Sequence, residues 1–286
     1  MKNLILTLLL IVFPYCAAQA QRVYDDDEEN PRFLLIGQAD EAIIDGRYDD
    51  AAARIIEAIS ICPECPDNIM LLSNLGMVYS YAGRDSLALE TIDSALVKAP
   101  RMKSLLSHRA RILLKMGRDR SAYEAFGRLI EVDSLNTDAR YYHGMMALYS
   151  GKLAEAETDF GILRDSLPLD LSTARALSSL YIMTGRESQA VPYYRQLIKD
   201  EPVPEYYAAL ASCLLTDGKL TEASEIIGEG MTKYPDDAQL YYCRAWLNRD
   251  LFRSNDAKAD GRRAQELGIP KAKIDALLKR KNGQNK

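Results

Sequence analysis

Five cysteines and two histidines carry most of the side-chain chemistry available to this chain, and two of the cysteines stand together in the stretch ICPECPDN, residues 61–68. A Cys-x-x-Cys pair serves as a dithiol redox centre, as half of a zinc site, or as a local disulfide. A redox pair wants its first cysteine at a helix N-terminus, where the dipole stabilises the thiolate. Cys62 instead follows a helical run and faces its negative end. A zinc site needs two further ligands, and neither histidine, nor Cys213, nor Cys243 lies in a nearby stretch. A structural Cys62–Cys65 disulfide in an oxidising compartment is the simplest expectation, with the redox and metal roles as its alternatives. Cys213 and Cys243 are expected to be buried thiols, with a second bond as the alternative.

The two histidines, His108 and His143, each sit one residue from an apparent helix-packing position. Neither has a nucleophile or carboxylate that the surrounding pattern would set beside it, so both are expected to be partly buried structural residues rather than catalytic bases. No glycine-rich phosphate loop and no isolated carboxylate pair is present, so no enzyme activity, cofactor or metal is expected. The acidic run Asp25 to Glu29 reads as a solvated linker, because five adjacent acids repel one another and no chelating turn stands nearby. Three Asp-Ser-Leu tripeptides, beginning at 85, 133 and 165, are expected to cap helices, with glycan attachment as the other use. A net charge of −5 leaves no basic footprint for nucleic acid.

What positions these residues is read from the rest of the chain. In 286 residues, 48% apolar and 27% charged content suits a well-packed soluble protein. The first twenty residues, MKNLILTLLLIVFPYCAAQA, join a basic start, an apolar run from Leu4 to Phe13 and a small-x-small site at Ala18-Gln19-Ala20. That is the pattern of a secretory signal cleaved near Ala20, and its apolar run is too short to span a bilayer. No later segment is long enough either, so no transmembrane span is expected. Cys16 follows Tyr15, a bulky residue that fits a lipoprotein cleavage site poorly, so the reading goes against a lipid anchor there. Removing residues 1–20 takes away only Lys2 and shifts the net charge from −5 to −6.

A turn signal then recurs as Gly46-Arg47, Gly83-Arg84, Gly117-Arg118, Gly151-Lys152, Gly185-Arg186 and Gly218-Lys219, at spacings of 37, 34, 34, 34 and 33 residues. Five residues after each glycine stands Ala51, Ala88, Ala122, Ala156, Ala190 or Ala223. Seven before each stands Ala39, Gly76, Ala110, Gly144, Ser178 or Ala211. Twelve after each alanine comes Pro63, Pro100, Ser134, Pro168, Pro202 or Pro235. Each unit is therefore helix, glycine turn, helix, stop. The extra residues of the first interval hold the cysteine pair. A weaker seventh unit keeps Ala245 and Ala257 but puts Phe252 where the turn glycine belongs. Lys271 to Lys281, with Ile274, Leu277 and Leu278 on one face, is expected to cap the last unit.

The second unit, with Leu72, Leu75-Gly76, Tyr79, Ala88, Ile92, Ala95 and Pro100, resembles the tetratricopeptide repeat, and Phe126, Phe160 and Tyr194 supply the family's second-helix aromatic later. The resemblance covers about residues 32–281. It implies an all-α fold, a right-handed α-solenoid of about seven helix-turn-helix units with a C-terminal capping helix. The organisation expected is a signal peptide at 1–20, an acidic linker at 21–30, the solenoid at 31–270, and the capping helix and basic tail at 271–286. In this family the concave face, built by the first helix of each unit, commonly binds a peptide or a partner protein. The first-helix positions that would line it are Met70, Met77 and Tyr81, with Ser73 beside them; Arg111 and Lys115; Tyr141, Met145 and Tyr149; Arg175; and Tyr242, Trp246 and Arg249. Some members clamp an acidic C-terminus through lysine, arginine and asparagine. Asp40, Met77 and Arg111 occupy the comparable places here and speak against that ligand. The functional expectation is a non-enzymatic scaffold or adaptor, exported to the periplasm or cell envelope, with a protein or peptide partner. Two alternatives stand beside it: a thiol-disulfide protein using Cys62 and Cys65, and a lipid-anchored accessory subunit of an outer-membrane complex.

Overall fold

The computed structural model describes residues 30–166 and 169–279. The export signal, Cys16, the acidic run, Pro168 and the basic tail after Lys279 lie outside the described residues. Among these there are fifteen helices and no strand. In chain order they are α1 (Pro31–Ile44), α2 (Tyr48–Ile61), α3 (Asn68–Tyr81), α4 (Asp85–Lys98), α5 (Lys103–Lys115), α6 (Asp119–Val132), α7 (Thr137–Tyr149), α8 (Leu153–Ser166), α9 (Leu171–Met183), α10 (Glu187–Asp200), α11 (Pro204–Thr216), α12 (Leu220–Lys233), α13 (Ala238–Asp250), α14 (Ser254–Glu266) and α15 (Lys271–Lys279). The chain divides into two compact units, Met1–Ala125 and Phe126–Lys286.

The repeat is a hydrogen-bonding device before it is a packing one. Each first helix ends in a glycine with φ between +66° and +77°, the left-handed conformation that costs glycine nothing. The next residue then donates its amide back to the carbonyl five residues earlier, as in Arg84 N to Tyr79 O at 2.8 Å and Lys152 N to Ala147 O at 2.8 Å. This closure satisfies orphan carbonyls of the helix end and reverses the chain into the second helix. At α13 the same closure forms, Arg253 N to Asn248 O at 2.8 Å, but the left-handed residue is Phe252, with φ of +60°. Its side chain is 78% exposed, so no packing offsets the backbone cost. Phe252→Gly is expected to stabilise the chain by about 0.5–1 kcal/mol, the left-handed penalty removed less the entropy that glycine adds to the unfolded state. A lower urea midpoint for this variant would refute that account of the turn.

Helix starts follow local chemistry only in part. Asn30 caps α1, accepting from Arg32 N at 3.0 Å with Pro31 as the first residue, as the sequence indicates. Asn136, Asp170 and Asp237 cap α7, α9 and α13. The Asp-Ser-Leu tripeptides cap none of the helices whose caps are described, a correction to the sequence reading. Asp85 is already inside α4, Asp133 follows α6, and Asp165 lies within α8. Asp85 lies one residue past the cap position of α4, and Asn136, not Asp133, occupies the cap position of α7.

Within each pair the small residues admit close approach. In the first unit Ala39, Ala51, Ala58, Ala88, Ala95 and Ile92 are buried in one core with Leu71, Leu75 and Leu105. A methyl group added at Gly76 would lie 2.5 Å from Ile92 Cδ1. In the second unit Ala139, Ala156, Phe160, Leu177, Leu180, Tyr207 and Leu210 have essentially no exposure. There the closest approach is at Gly144, where a Cβ would meet Phe160 Cε1 at 2.8 Å and Asp159 Cβ at 3.1 Å. First helices also pack on the next first helix within a unit, α3 on α5, α7 on α9, and α11 on α13. At the C-terminal end α15 lies against α13 and α14 and buries Ile274 and Leu277, the capping role its pattern indicates.

Candidate functional site

The first-helix residues singled out by the repeat fall into two groups. Among the apolar ones, Tyr81 and Tyr149 are exposed, while Met70, Met77, Tyr141, Met145, Tyr242 and Trp246 are half-buried. Tyr81 meets Tyr48 of α2 with ring centres 5.6 Å apart. Tyr141 stands edge-on to Tyr142 at 5.5 Å and 6.5 Å from the Phe160 ring, and Tyr142 stacks on Phe126 at 5.3 Å, so both half-buried tyrosines rest on core aromatics. Burial pushes the Tyr141 phenol above its ordinary value. It remains a neutral donor at any physiological pH.

The charged candidates are largely committed inside the chain. Lys115 reaches Asp85 at 2.8 Å and also the backbone oxygen of Ser80. Arg175 pairs with Glu201 and lies 5.9 Å over the Tyr206 ring. Arg249 pairs with Asp250 at 2.6 Å, donates to Leu277 O at 3.1 Å, and lies 5.7 Å from the Trp246 ring. Arg111 is exposed. Asp40 is partly buried, which raises its carboxyl to about 6. Ser73, placed on the binding face by the sequence reading, is instead 1% exposed, because α5 packs over it.

Both histidines have partners that the sequence reading denied them. His108 Nδ1 lies 3.0 Å from Ser73 Oγ across α3 and α5. His143 Nδ1 lies 2.6 Å from Asp159 Oδ2, and Arg140 Nη1 donates to Asp159 Oδ1 at 2.8 Å. Partners 35 and 16 residues away meet only once helices pack, so local spacing does not show them. Ser73 is sealed from solvent, and Asp159 and Arg140 are both buried, so these clusters lack the substrate access that a catalytic pair requires.

Burial holds His108 near pKa 4, against an ordinary 6.5, with Arg111 adding to the effect. Between those values the unfolded chain takes up a proton that the folded chain refuses. The stability this neutral histidine contributes is therefore complete above pH 6.5 and is lost as the pH falls towards 4. A loss of about 3 kcal/mol is expected over that range. Asp40, raised by burial from 3.8 to about 6, opposes it in part. His108→Gln should flatten the dependence of the urea midpoint on pH, and an unchanged slope would contradict the assignment.

Cys62 and Cys65 are joined by a disulfide, with Sγ atoms 2.06 Å apart. Cys62 is the C-cap of α2, at the negative end of the helix. The loop is wired into the fold by residues that the sequence reading missed. Asn68 Nδ2 donates to Cys62 O at 2.7 Å and Pro63 O at 2.9 Å. Its Oδ1 accepts from Arg32 Nη2 at 2.8 Å, and Arg32 also donates to Ala58 O at 3.1 Å and pairs with Asp67 at 2.8 Å. An arginine inside an otherwise apolar helix start was the available signal. Cys213 and Cys243 are free and buried. Burial pushes their thiols to about 12 and about 11, which makes them inert packing residues.

A family model described as tetratricopeptide repeat matches residues 107–166 and 175–238. No curated protein matches the chain at a significant level of sequence similarity. Among solved structures, a tetratricopeptide repeat protein from Parabacteroides merdae is 23% identical, covering 87% of this chain and 97% of its own, with a TM-score of 0.56. YrrB, a TPR protein with an unusual peptide-binding site, is 18% identical, covering 67% of this chain and 100% of its own, with a TM-score of 0.59. PilF from Pseudomonas aeruginosa is 15% identical, covering 73% and 96%, with a TM-score of 0.52. At these identities the likenesses speak to the fold alone, which is an all-α solenoid. The glycine closures, the small-residue contacts and the matched segments agree: residues 107–166 and 175–238 carry tetratricopeptide repeats, within an all-α helical-repeat fold that solved tetratricopeptide-repeat structures share.

Proposed function

We propose that this protein is a non-enzymatic scaffold or adaptor of the bacterial cell envelope that holds a peptide or partner protein against its first-helix face. The observation that carries the reading is the stripe Tyr141, Met145 and Tyr149 on α7, half-buried at one end and 82% exposed at Tyr149. Rigid aromatic and adaptable methionine side chains in that exposure range are what polypeptide-binding surfaces use. The repeat architecture is an interaction scaffold, and YrrB gives a likeness with a peptide-binding site. In this reading the further candidates Arg175, Tyr242, Trp246 and Arg249 belong to the first-helix face of the second unit, and Met70, Met77, Tyr81, Arg111 and Lys115 to that of the first.

Export is part of the proposal and rests on the sequence of residues 1–20. Cleavage near Ala20 would leave Gln21 first, and no lipid anchor is assigned to Cys16. The domain limits proposed are those of the sequence reading, with the solenoid at 31–270. No described helix is long and apolar enough to cross a membrane. The partner is a protein rather than a nucleic acid, given the net charge of −5. Affinity capture from envelope extract tests the reading, comparing wild type with Tyr141→Ala/Tyr149→Ala. Loss of a discrete partner supports it, and identical recovery removes the face from consideration.

A further inference from the structure

The second unit, residues 126–286, carries an unusual distribution of charge on its first helices. The cationic side chains of α7, α9, α11 and α13 are four arginines, with no lysine. Every one is engaged by an acid of this same chain: Arg140 by Asp159 at 2.8 Å, Arg175 by Glu201, Arg244 by Asp260 at 2.6 Å, and Arg249 by Asp250 at 2.6 Å. A ligand carboxylate would have to displace an internal partner to gain Arg140 or Arg249, whose side chains are 9% and 14% exposed, and at the exposed Arg175 and Arg244 it would exchange one weak surface pair for another with little net gain.

The apolar surface is ordered rather than scattered. Thirteen large apolar side chains are exposed among the described residues. Spread over a 34-residue period they would average less than one per repeat position, which is how isolated surface apolars behave. Four of them, Ile44, Tyr81, Tyr149 and Met183, occupy one position, two residues before the turn glycine. In the second unit this row is Tyr149, 82% exposed, and Met183, 56% exposed, on α7 and α9. Ile182 is also exposed beside Met183, and the positions between, Met145 and Ser179, are uncharged.

Resting on the proposed function above, we infer that the second unit takes an uncharged polypeptide segment carrying at least two large apolar or aromatic side chains. These seat against Tyr149 on one helix and Met183 with Ile182 on the next, one repeat apart. Recognition is by apolar burial, with the exposed Ser179 hydroxyl beside it for a backbone hydrogen bond, so affinity is insensitive to salt. The occupant is neither an acidic C-terminus, which finds no unengaged arginine, nor a basic tail.

A random twelve-residue peptide library displayed on phage and selected on the full chain tests this, with Tyr149→Ser/Met183→Ser as the counter-selected variant. Both side chains are solvent-exposed, so the variant should keep the wild-type circular dichroism and urea midpoint. Expected are selected peptides enriched in aromatic and aliphatic pairs and depleted in Asp and Glu. Their affinity should fall about tenfold or more on the variant and change less than twofold between about 0.05 and 0.5 M salt. Acid-rich peptides that still depend on Tyr149 and Met183 would overturn the partner chemistry while leaving the first-helix face as a binding site. Peptides held equally by the variant, or no enrichment at all, would overturn the face itself. Self-association of the chain abolished by the variant would also overturn the proposal, by making a second copy the occupant.

Discussion

Asp159→Ala is expected to destabilise the protein by about 3–5 kcal/mol, among the largest single-site effects in the chain. Asp159 is 4% exposed and holds Arg140 and His143 at once, at 2.8 and 2.6 Å. Its removal leaves the Arg140 guanidinium buried with its carboxylate gone, retaining the bond from Nε to Ser134 O at 2.5 Å. Breaking one side of a buried pair is costly because the remaining charge cannot recover its hydration. Asp159 also packs its Cβ at the point where α7 and α8 approach most closely, beside Gly144. The urea midpoint of Asp159→Ala measures this, and Asp159→Ala/Arg140→Met should recover part of the loss, since it removes the stranded charge along with its partner. A single variant within about 1 kcal/mol of wild type would show that the cluster is replaceable by water.

The second large effect is at the junction of the first two repeats. Arg32→Ala is expected to cost about 3–4 kcal/mol, because it removes a 5%-exposed side chain together with charge-assisted bonds to Asp67, Asn68 and Ala58 O. Asn68 then loses the partner of its Oδ1 while its Nδ2 still holds Cys62 O and Pro63 O. Reducing the Cys62–Cys65 bond with a thiol is a smaller change, about 2 kcal/mol for so short a loop in the chain-entropy view. Chemical denaturation of Arg32→Ala, with and without reductant, separates the two contributions. An Arg32→Ala loss no greater than that of reduction would make the disulfide, rather than the arginine, the main tie.

These two clusters mark the boundary of what the sequence makes legible. The period is plain because turn glycines, small contact residues and helix-ending prolines each answer to a backbone or steric rule that acts within a few residues. Six glycines with positive φ and the Phe252 substitute stand where the spacing sets them. The disulfide loop is visible as an excess of residues in the first interval. Arg32, Asn68, Asp159 and the serine under His108 are not visible, because each finds its partner across helix pairs, at separations from 16 to 36 residues. Ser73 shows the limit of periodic reasoning from the other side. Its helical position marks it as groove-facing, and only the packing of α5 decides that it is covered. The Asp-Ser-Leu tripeptides failed as caps because the helix boundaries fall one or more residues away from them: Asp85 is already helical, Asp165 is inside α8, and Asn136 rather than Asp133 caps α7.

The candidate binding residues were legible in type and position but not in state. Sequence names Arg111, Lys115, Arg175 and Arg249 as groove cations, and packing pairs the last three with acids of the same chain, Lys115 and Arg175 while still exposed. Among the apolar candidates Tyr81 and Tyr149 remain outward, and Met183 shares their position two residues before the turn glycine. The functional weight thus moves from ionic capture towards apolar contact.

Engagement of a protein partner by the first-helix face turns on Tyr149, the most exposed of its aromatic residues. It is tested most directly by placing a photo-crosslinking phenylalanine derivative at Tyr149 in the full chain, in the cells that make it. The control places the same group at Glu225, exposed on the second helix α12. A discrete protein adduct is expected from position 149 and none from position 225. Adducts of equal yield at both positions, or none at 149 while 225 crosslinks, would contradict it.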